Sequence, residues 1–351
     1  MTRPANPRAT LAAVAERAGV SKATASKVLN GRPGVSEETR QQVRRAIAEL
    51  DYAPTTGPRE SVARGAIHVV FDTIINMYSL YVLDGVISGG AELGVDVVTS
   101  ALASGGVMPE RSLGVDRIKE MAARGHTGLV VVTTQLTGEE IAFCEQVGLA
   151  LVVIDPVNPL DDRVTSVGAT NWAGGVQATR HLLDLGHRRI AFVGGSEGSV
   201  PGRERLHGYR EALETAKITP DPALTWRGDF VAETGAQGAD YLLAMDEPPT
   251  AVFAASDSIA MGVIRVAKHR GLRIPEDLSV VGFDDTYGAM WTEPALTTVR
   301  QPLRQMGRVA ARTALELAGG KRPDSHHVQL ATSLVVREST TAPPRFRPEG
   351  N

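Results

Sequence analysis

The stretch Thr10–Asn30, TLAAVAERAGVSKATASKVLN, constrains this chain more than any other. Leu11, Val14, Ala15 and Ala18 recur at helical spacing behind Thr10, a residue type that caps helix N-termini. Gly19 falls where a helix ends in a left-handed residue, and Val20 is an apolar plug in the turn. Ser21 caps a second helix, Lys22 to Leu29, which Asn30-Gly31 can close. Ala25, Val28 and Leu29 share its inner face, while Lys22, Ala23, Ser26 and Lys27 share the outer one. A short, basic, hydrogen-bonding face without bulky apolar groups suits the floor of a DNA major groove. Any small three-helix bundle can carry the same periodicity, so the pattern alone leaves both readings open. A third helix follows, with Ser36 as cap and Glu37 and Glu38 at its positive end. Val43, Ala46, Ile47 and Leu50 form its inner face, and Tyr52-Ala53-Pro54 ends the unit.

Charge divides the chain in the same place. Residues 1–66 hold 11 Lys/Arg against 6 Asp/Glu, and the remainder 26 against 34, within an overall formal charge of -3. A basic head on an acidic body lets the head meet phosphates while the body stays off the duplex. The single cysteine, Cys144 in IAFCEQVG, excludes an intramolecular disulfide framework and reads as a small core residue. The N-terminus MTRPANPRAT has no apolar stretch of the secretory kind, and runs such as GLVVV are far too short to span a membrane. A cytoplasmic location is the expectation.

From residue 67 the texture changes to apolar runs alternating with helical patterns. Strands are expected at 67–71, 95–100, 128–133 and 150–154, and again at 189–193, 223–226, 250–255 and 278–283. Helices are expected near 79–93, 109–124 and 138–147, then near 171–185, 202–215, 233–245 and 257–270. The segment 328–336, VQLATSLVV, reads as one late strand. Two similar wound parallel sheets imply a cleft between them, lined by loops at the carboxyl ends of strands.

Two sets of residues carry a family resemblance. VAERAGVSKATASKVLNG followed by VSEETRQQVRRAIAELDYAP resembles the DNA-binding headpiece of the lactose-repressor/galactose-repressor (LacI) family, with Ala25 where valine is usual. NWAGGVQATRHLLDLGHRRIAFVGG, RERLHGYREAL, FAASDSIAMGVIRVAKHRGLRIPEDLSVVGFDD and PALTTVRQPLRQMG resemble that family's sugar-binding core. The resemblance implies an all-α helix-turn-helix headpiece joined to an α/β, periplasmic-binding-protein-like core of two similar parallel-sheet subdomains. It places the headpiece at 1–54, a hinge or linker at 55–66, the core at 67–341 and a tail at 342–351. Crossings between subdomains near 169, 299 and 326 would give an N-subdomain of 67–168 plus 300–325 and a C-subdomain of 169–298 plus 326–341.

The linker departs from the family pattern. Ser61 stands where a minor-groove leucine is usual, and Gly57 and Pro58 stand where helix formers would be. Val62 is then the available wedge, with Arg59 near phosphate, while the same composition also reads as a plain tether. On the headpiece the resemblance puts Lys22, Ala23, Ser26 and Lys27 on base edges, with Thr10, Ser21 and Asn30 positioning the backbone.

For the cleft, the resemblance points to Arg205 and Asp284 as the ligand's hydroxyl-binding pair and to Phe230 as a stacking face. Asp72, Asn76, Tyr78 and Asp155 are N-subdomain candidates, and Ser256 takes a position often held by Asn. Trp291 either walls the cleft or packs, and Asp257 and Asp285 are expected to cap helices. No cofactor is implied, His326-His327 has no partner ligands at metal spacing, and neither GxGxxG nor GxxxxGK[ST] occurs. The expected protein is a homodimeric repressor on a pseudo-palindromic duplex operator, released by a small effector of the sugar class. A corepressor of nucleobase type, and a sugar-binding protein or enzyme without a DNA role, are the alternatives.

Overall fold

A computed structural model describes residues 10–29, 34–50, 65–102, 112–160 and 163–344. Asn30, Arg59 and Val62, the linker over 55–64, the tail from 345 and the side chains of Leu29 and Glu37 lie outside the described residues. The chain divides into two compact units, Met1–Arg64 and Gly65–Asn351.

The first unit holds α1 (Leu11–Arg17), α2 (Lys22–Leu29) and α3 (Glu37–Glu49). Thr10 Oγ1 accepts the Ala13 amide at 3.2 Å, Ser21 Oγ the Thr24 amide at 3.1 Å, and Ser36 Oγ the Thr39 amide at 3.3 Å. All three caps thus bind donors that the helices leave unpaired. Gly19 is left-handed, with φ 65°, and lets the Val20 amide reach back to Ala15 O at 3.0 Å. Val14, Ala15, Ala25, Val28, Val43 and Ala46 meet in the centre, with Ala25 fully buried.

The second unit begins with β1 (Ile67–Phe71), α4 (Met77–Leu93), β2 (Val97–Ala101), α5 (Val115–Ala123), β3 (Gly128–Val132), α6 (Gly138–Gln146), β4 (Ala150–Ile154) and β5 (Thr165–Ala169). It continues through α7 (Asn171–Asp184), β6 (Ile190–Gly194), α8 (Val200–Thr215), β7 (Thr225–Arg227), α9 (Ala232–Leu242), β8 (Ala251–Ala254) and α10 (Asp257–His269). Then come β9 (Ser279–Asp284), α11 (Tyr287–Trp291), β10 (Thr297–Arg300), α12 (Leu303–Ala318), β11 (His327–Leu330) and β12 (Ser333–Val335). One sheet has the order β11-β5-β4-β3-β1-β2 and the other β12-β10-β9-β8-β6-β7. Both are wound alike, and in both the order reverses beside the first strand, where open α/β sheets take ligands.

The chain leaves the first sheet after Ala169, and after β10 it returns as α12 to cover β3 and β4. The third crossing is not at 326. β11 runs parallel to β5 in the first sheet and β12 antiparallel to β10 in the second, so 328–336 is two strands and the chain crosses at 331–332. Alternating hydrophobicity runs straight through Ala331-Thr332 and carries no mark of which sheet each half joins. What fixes the crossing is Thr332, whose amide donates to Thr170 Oγ1 at 3.0 Å and whose hydroxyl donates to Thr170 O at 3.2 Å. The first and third crossings are therefore bonded side by side.

Helices pair on reciprocal glycines. A Cβ on Gly262 of α10 would lie 1.9 Å from Ala232 O of α9, and one on Gly235 of α9 would lie 2.0 Å from Ile259 O of α10. Gly175 and Gly208 play the same part between α7 and α8, and Gly85 and Gly307 between α4 and α12. Backbone rather than a flexible side chain meets each glycine, so an added methyl has nowhere to go. A glycine-to-alanine change inside a helix ordinarily stabilises by about 1 kcal/mol. Gly262→Ala is expected to do the reverse, lowering stability by about 2 kcal/mol or more, read as a lower urea midpoint.

Candidate DNA-binding surface and effector site

On the headpiece, Lys22, Ala23 and Lys27 are exposed along one side of α2, with Ser26 half-buried between them. Thr10 and Ser21 are exposed at the two helix starts, so the caps that order α1 and α2 sit beside the surface that would face a duplex.

In the core, the strand ends bring a group of polar side chains together. Arg205, on α8, is 3 % exposed. Its Nε donates to Asn171 Oδ1 at 2.9 Å and its Nη1 to Ala255 O at 2.6 Å, with Asp284 Oδ1 3.9 Å away. The guanidinium lies 3.9 Å from the Phe283 ring centre and 5.8 Å from that of Phe230. Asn171 Nδ2 donates to Ala169 O at 3.1 Å, which ties this arginine to the first crossing. The Phe230 ring rests on Gly195 and Gly202, where any side chain would collide with it or crowd it.

Asp284 ends β9 with φ 118°, and Asp155 follows β4 with φ 47°. Thr133, after β3, and Asp285 are also left-handed, at 48° and 57°. Strained backbone thus gathers at the carboxyl ends of central strands, the places where open α/β sheets bind ligands. Tyr78 donates its hydroxyl to Asp155 Oδ2 at 2.6 Å. Gln301, in the second crossing, donates from its side-chain amide to Asp284 Oδ1 at 2.7 Å and from its backbone to Asp284 O at 3.2 Å.

Burial holds the Asp155 carboxyl above its ordinary range, against the pull of the Tyr78 hydroxyl and the Arg205 charge. Asp284 is raised to about 8, by burial first and by Asp257, with Arg205 and Gln301 opposing. Glu204 is raised by burial and by Asp155, and Tyr78 well above its ordinary range by burial and the adjoining Asp155.

Other expected residues serve the frame. Asn76 caps α4 by accepting the Ser79 amide at 2.7 Å, and Ser256 caps α10 by accepting the Ile259 amide at 3.2 Å. Asp72 Oδ1 takes the Thr133 hydroxyl and the Thr73 amide, both at 2.7 Å. Asp257 and Asp285 do not cap. Asp257 takes the Thr286 amide and the Thr286 and Thr298 hydroxyls, and Asp285 pairs with Arg300 and Arg337, because each finds donors on neighbouring segments rather than at its own helix start. Trp291, at the end of α11, is 80 % exposed and so does not pack within the chain. Cys144 is buried, its thiol pushed up to about 12 by burial and two nearby glutamates, which leaves it inert. His326 and His327 face hydroxyls of β5.

Asn171, Glu204 and Gln301 escaped sequence reasoning. Gln301 follows β10 and looks like a linker residue, yet it is 4 % exposed and its Oε1 has no partner among the described residues. No helix of the described residues is long and apolar enough to cross a membrane.

Residues 10–55 match the family described as bacterial regulatory proteins, lacI family, and residues 179–340 match the periplasmic binding protein-like domain. The chain is 36 % identical over 336 residues to the HTH-type transcriptional regulator CelR of Thermobifida fusca, covering 95 % of this chain and 98 % of that one. It is 32 % identical over 333 residues to the HTH-type transcriptional repressor PurR of Vibrio atlanticus, covering 94 % and 98 %. A solved complex of the transcriptional regulator CelR with cellobiose superposes with a TM-score of 0.71 at 34 % identity, over 95 % of this chain and all of that one. A lac repressor dimer bound to operator and the anti-inducer ONPF gives 0.72 at 29 % identity, over the same shares. A helix-turn-helix unit followed by an effector-binding core of this kind defines a class of DNA-binding transcriptional regulators, not enzymes. The chain belongs to the lacI family of bacterial regulatory proteins.

Asp284 makes one contribution to the pH response of the core. Its folded-state pKa lies above the unfolded value, so the native state binds the extra proton, and this contribution to stability is lost as pH rises from about 4 to about 8. Asp284→Asn removes the buried charge and keeps an acceptor for Gln301. It is expected to flatten that slope and to raise the melting temperature of the ligand-free protein at the alkaline end, measured by calorimetry across pH.

Proposed function

We propose that this chain is a repressor of carbohydrate-utilisation genes that lets go of its operator when a neutral sugar closes the core. The observation that supports this most is the group of buried Arg205, Asp284 and Asp155 with half-buried Tyr78, drawn from strand ends and helices of both sheets. Arg205 is already engaged by Asn171 and Ala255 O and stands among the acidic side chains of Asp155, Asp284 and Glu204, so it offers little to a phosphorylated or carboxylated ligand. Vicinal hydroxyls suit both kinds of group, donating to a carboxylate while accepting from the arginine fork. Phe230 adds a face for sugar C–H groups. A relative solved with cellobiose supports the same class.

A flat nucleobase acting as corepressor is the second reading, favoured by the likeness to PurR and by the two aromatics Tyr78 and Phe230. Among the described residues those two rings make no contact with each other. Tyr78 has its hydroxyl committed to Asp155, so they form no stacked slot.

In this proposal two headpieces of a homodimer read a near-palindrome, with Lys22, Ala23, Ser26 and Lys27 on base edges and Thr10, Ser21, Asn30 and Arg59 on the backbone. Val62 would touch the minor groove. The second copy would cover Leu80 and Ile87 of α4 and Met290 and Trp291 of α11, large apolar side chains between 46 % and 80 % exposed. A lac repressor dimer on its operator is the precedent among the structural relatives. The effector acts by binding the closed core more tightly than the open one, and only that difference can move the equilibrium.

Two outcomes are expected. In a gel shift on operator DNA, cellobiose should weaken binding by the wild type and leave Arg205→Ala unmoved, whereas a nucleobase that tightens binding would establish the second reading. Lys27→Ala should weaken the cognate operator by about 1–3 kcal/mol and random duplex far less, measured by competition at fixed salt.

A further inference from the structure

Arg227 stands at the carboxyl end of β7, opposite Gly194 at the end of β6. Strand alternation parts it from its neighbour. Trp226 turns to α9, with its ring against Gly238 and 5.2 Å from that of Tyr241, so Arg227 projects from the other face. Its guanidinium lies over the loop after β6, where Nη2 reaches Ser196 O at 3.4 Å and Nη1 lies 3.8 Å from Glu197 Oε1. Glu197 is itself 84 % exposed, so that ion pair is screened and weak. Only 22 % of the Arg227 side chain is exposed, yet its Nε is buried and has no partner among the described residues. A guanidinium withdrawn from water while keeping two long contacts and an empty donor is under-satisfied.

The surroundings say what would satisfy it. Arg227 begins the turn RGDF that carries Phe230, and the Phe230 ring covers Gly195 of the same loop that Arg227 overlies. Arg205, buried and committed, thus lies against Phe230, while Arg227, three residues before Phe230 on the same turn, is nearer the surface and held only by long contacts. One hexose ring stacked on Phe230 is served by the inner arginine. A second ring, joined by a glycosidic bond, would extend past the phenylalanine edge towards the outer one, where its hydroxyls can accept from a planar fork.

Resting on the sugar reading above, we infer that Arg227 forms an outer subsite that makes the effector a glycoside of two or more rings rather than a monosaccharide. The loop 196–199 and exposed Glu197 form its rim, and the Glu197 carboxylate can accept a hydrogen bond from a hydroxyl of the same ring.

Titration calorimetry of the full-length protein with cellobiose and with glucose tests this. The wild type should bind cellobiose more tightly than glucose. Arg227→Ala should weaken cellobiose roughly tenfold, the usual size of one hydrogen bond to a charged group, and leave glucose unchanged. Arg227→Lys keeps the charge without the fork and should fall between them. Arg227 lies on an edge strand, and an unchanged melting curve and operator affinity will show that the variants fold. Equal weakening of both sugars by Arg227→Ala, or no weakening of either, overturns the subsite. So does a wild type that binds glucose as tightly as cellobiose, which leaves the sugar reading intact. A wild type that binds no sugar while its operator binding responds to a nucleobase overturns both.

Discussion

The buried guanidinium of Arg205 is the constraint on which the effector core turns. A permanent charge inside a protein is tolerable only with its donors engaged, and this one engages Asn171 at the first crossing, Ala255 O at the end of β8 and the ring of Phe283. Asp284 lies close without closing a full ion pair, and Gln301 in the second crossing holds that carboxylate from the other side. The residues that would grip an effector are therefore the same residues that touch two of the three connections between the subdomains. Thr170 and Thr332 bind the first connection to the third. In the proposed closure, a ligand that rearranges hydrogen bonds around Arg205 and Asp284 would act directly on the connecting segments, without a long relay of contacts.

Much of this was legible in the sequence, and the limits are physical. The helix-turn-helix was readable because its determinants are local: Thr10, Ser21 and Gly19 act within a few residues of themselves. The apolar strands β1, β3, β4, β6, β8 and β9 were readable because central strands of a parallel sheet are covered on both faces. The small and polar β5 and β10 were not, and 328–336 passed for a single strand because pairing partners lie more than thirty residues away in β5 and β10. Of the candidate effector residues, Arg205, Asp284 and Asp155 stand together, while Asn76 and Ser256 bind backbone donors of their own helices. Sequence could not separate those cases, since a polar side chain after a strand serves a helix start or a ligand with equal ease.

Gln301 shows the opposite failure. Nothing in QPLRQMG marks it, because its importance comes from tertiary placement at a crossing. The reciprocal glycines belong to the same category: Gly85, Gly175 and Gly262 read as weak points in helices, and only the partner backbone shows why a larger residue is excluded.

The shared winding of the two sheets has a consequence for the effector itself. β4 and β9 hold the same place in their sheets, and each ends in an aspartate forced to positive φ: Asp155 on one side and Asp284 on the other. The two halves thus share one winding, and the two carboxylates are topological counterparts in it. What breaks the equivalence is the cation: Arg205 comes from the second half, and the first half answers with the phenol of Tyr78. A molecule held there would meet matching strand ends with an asymmetric lining, so the cation on one half and the phenol on the other would help to set its direction in the cleft.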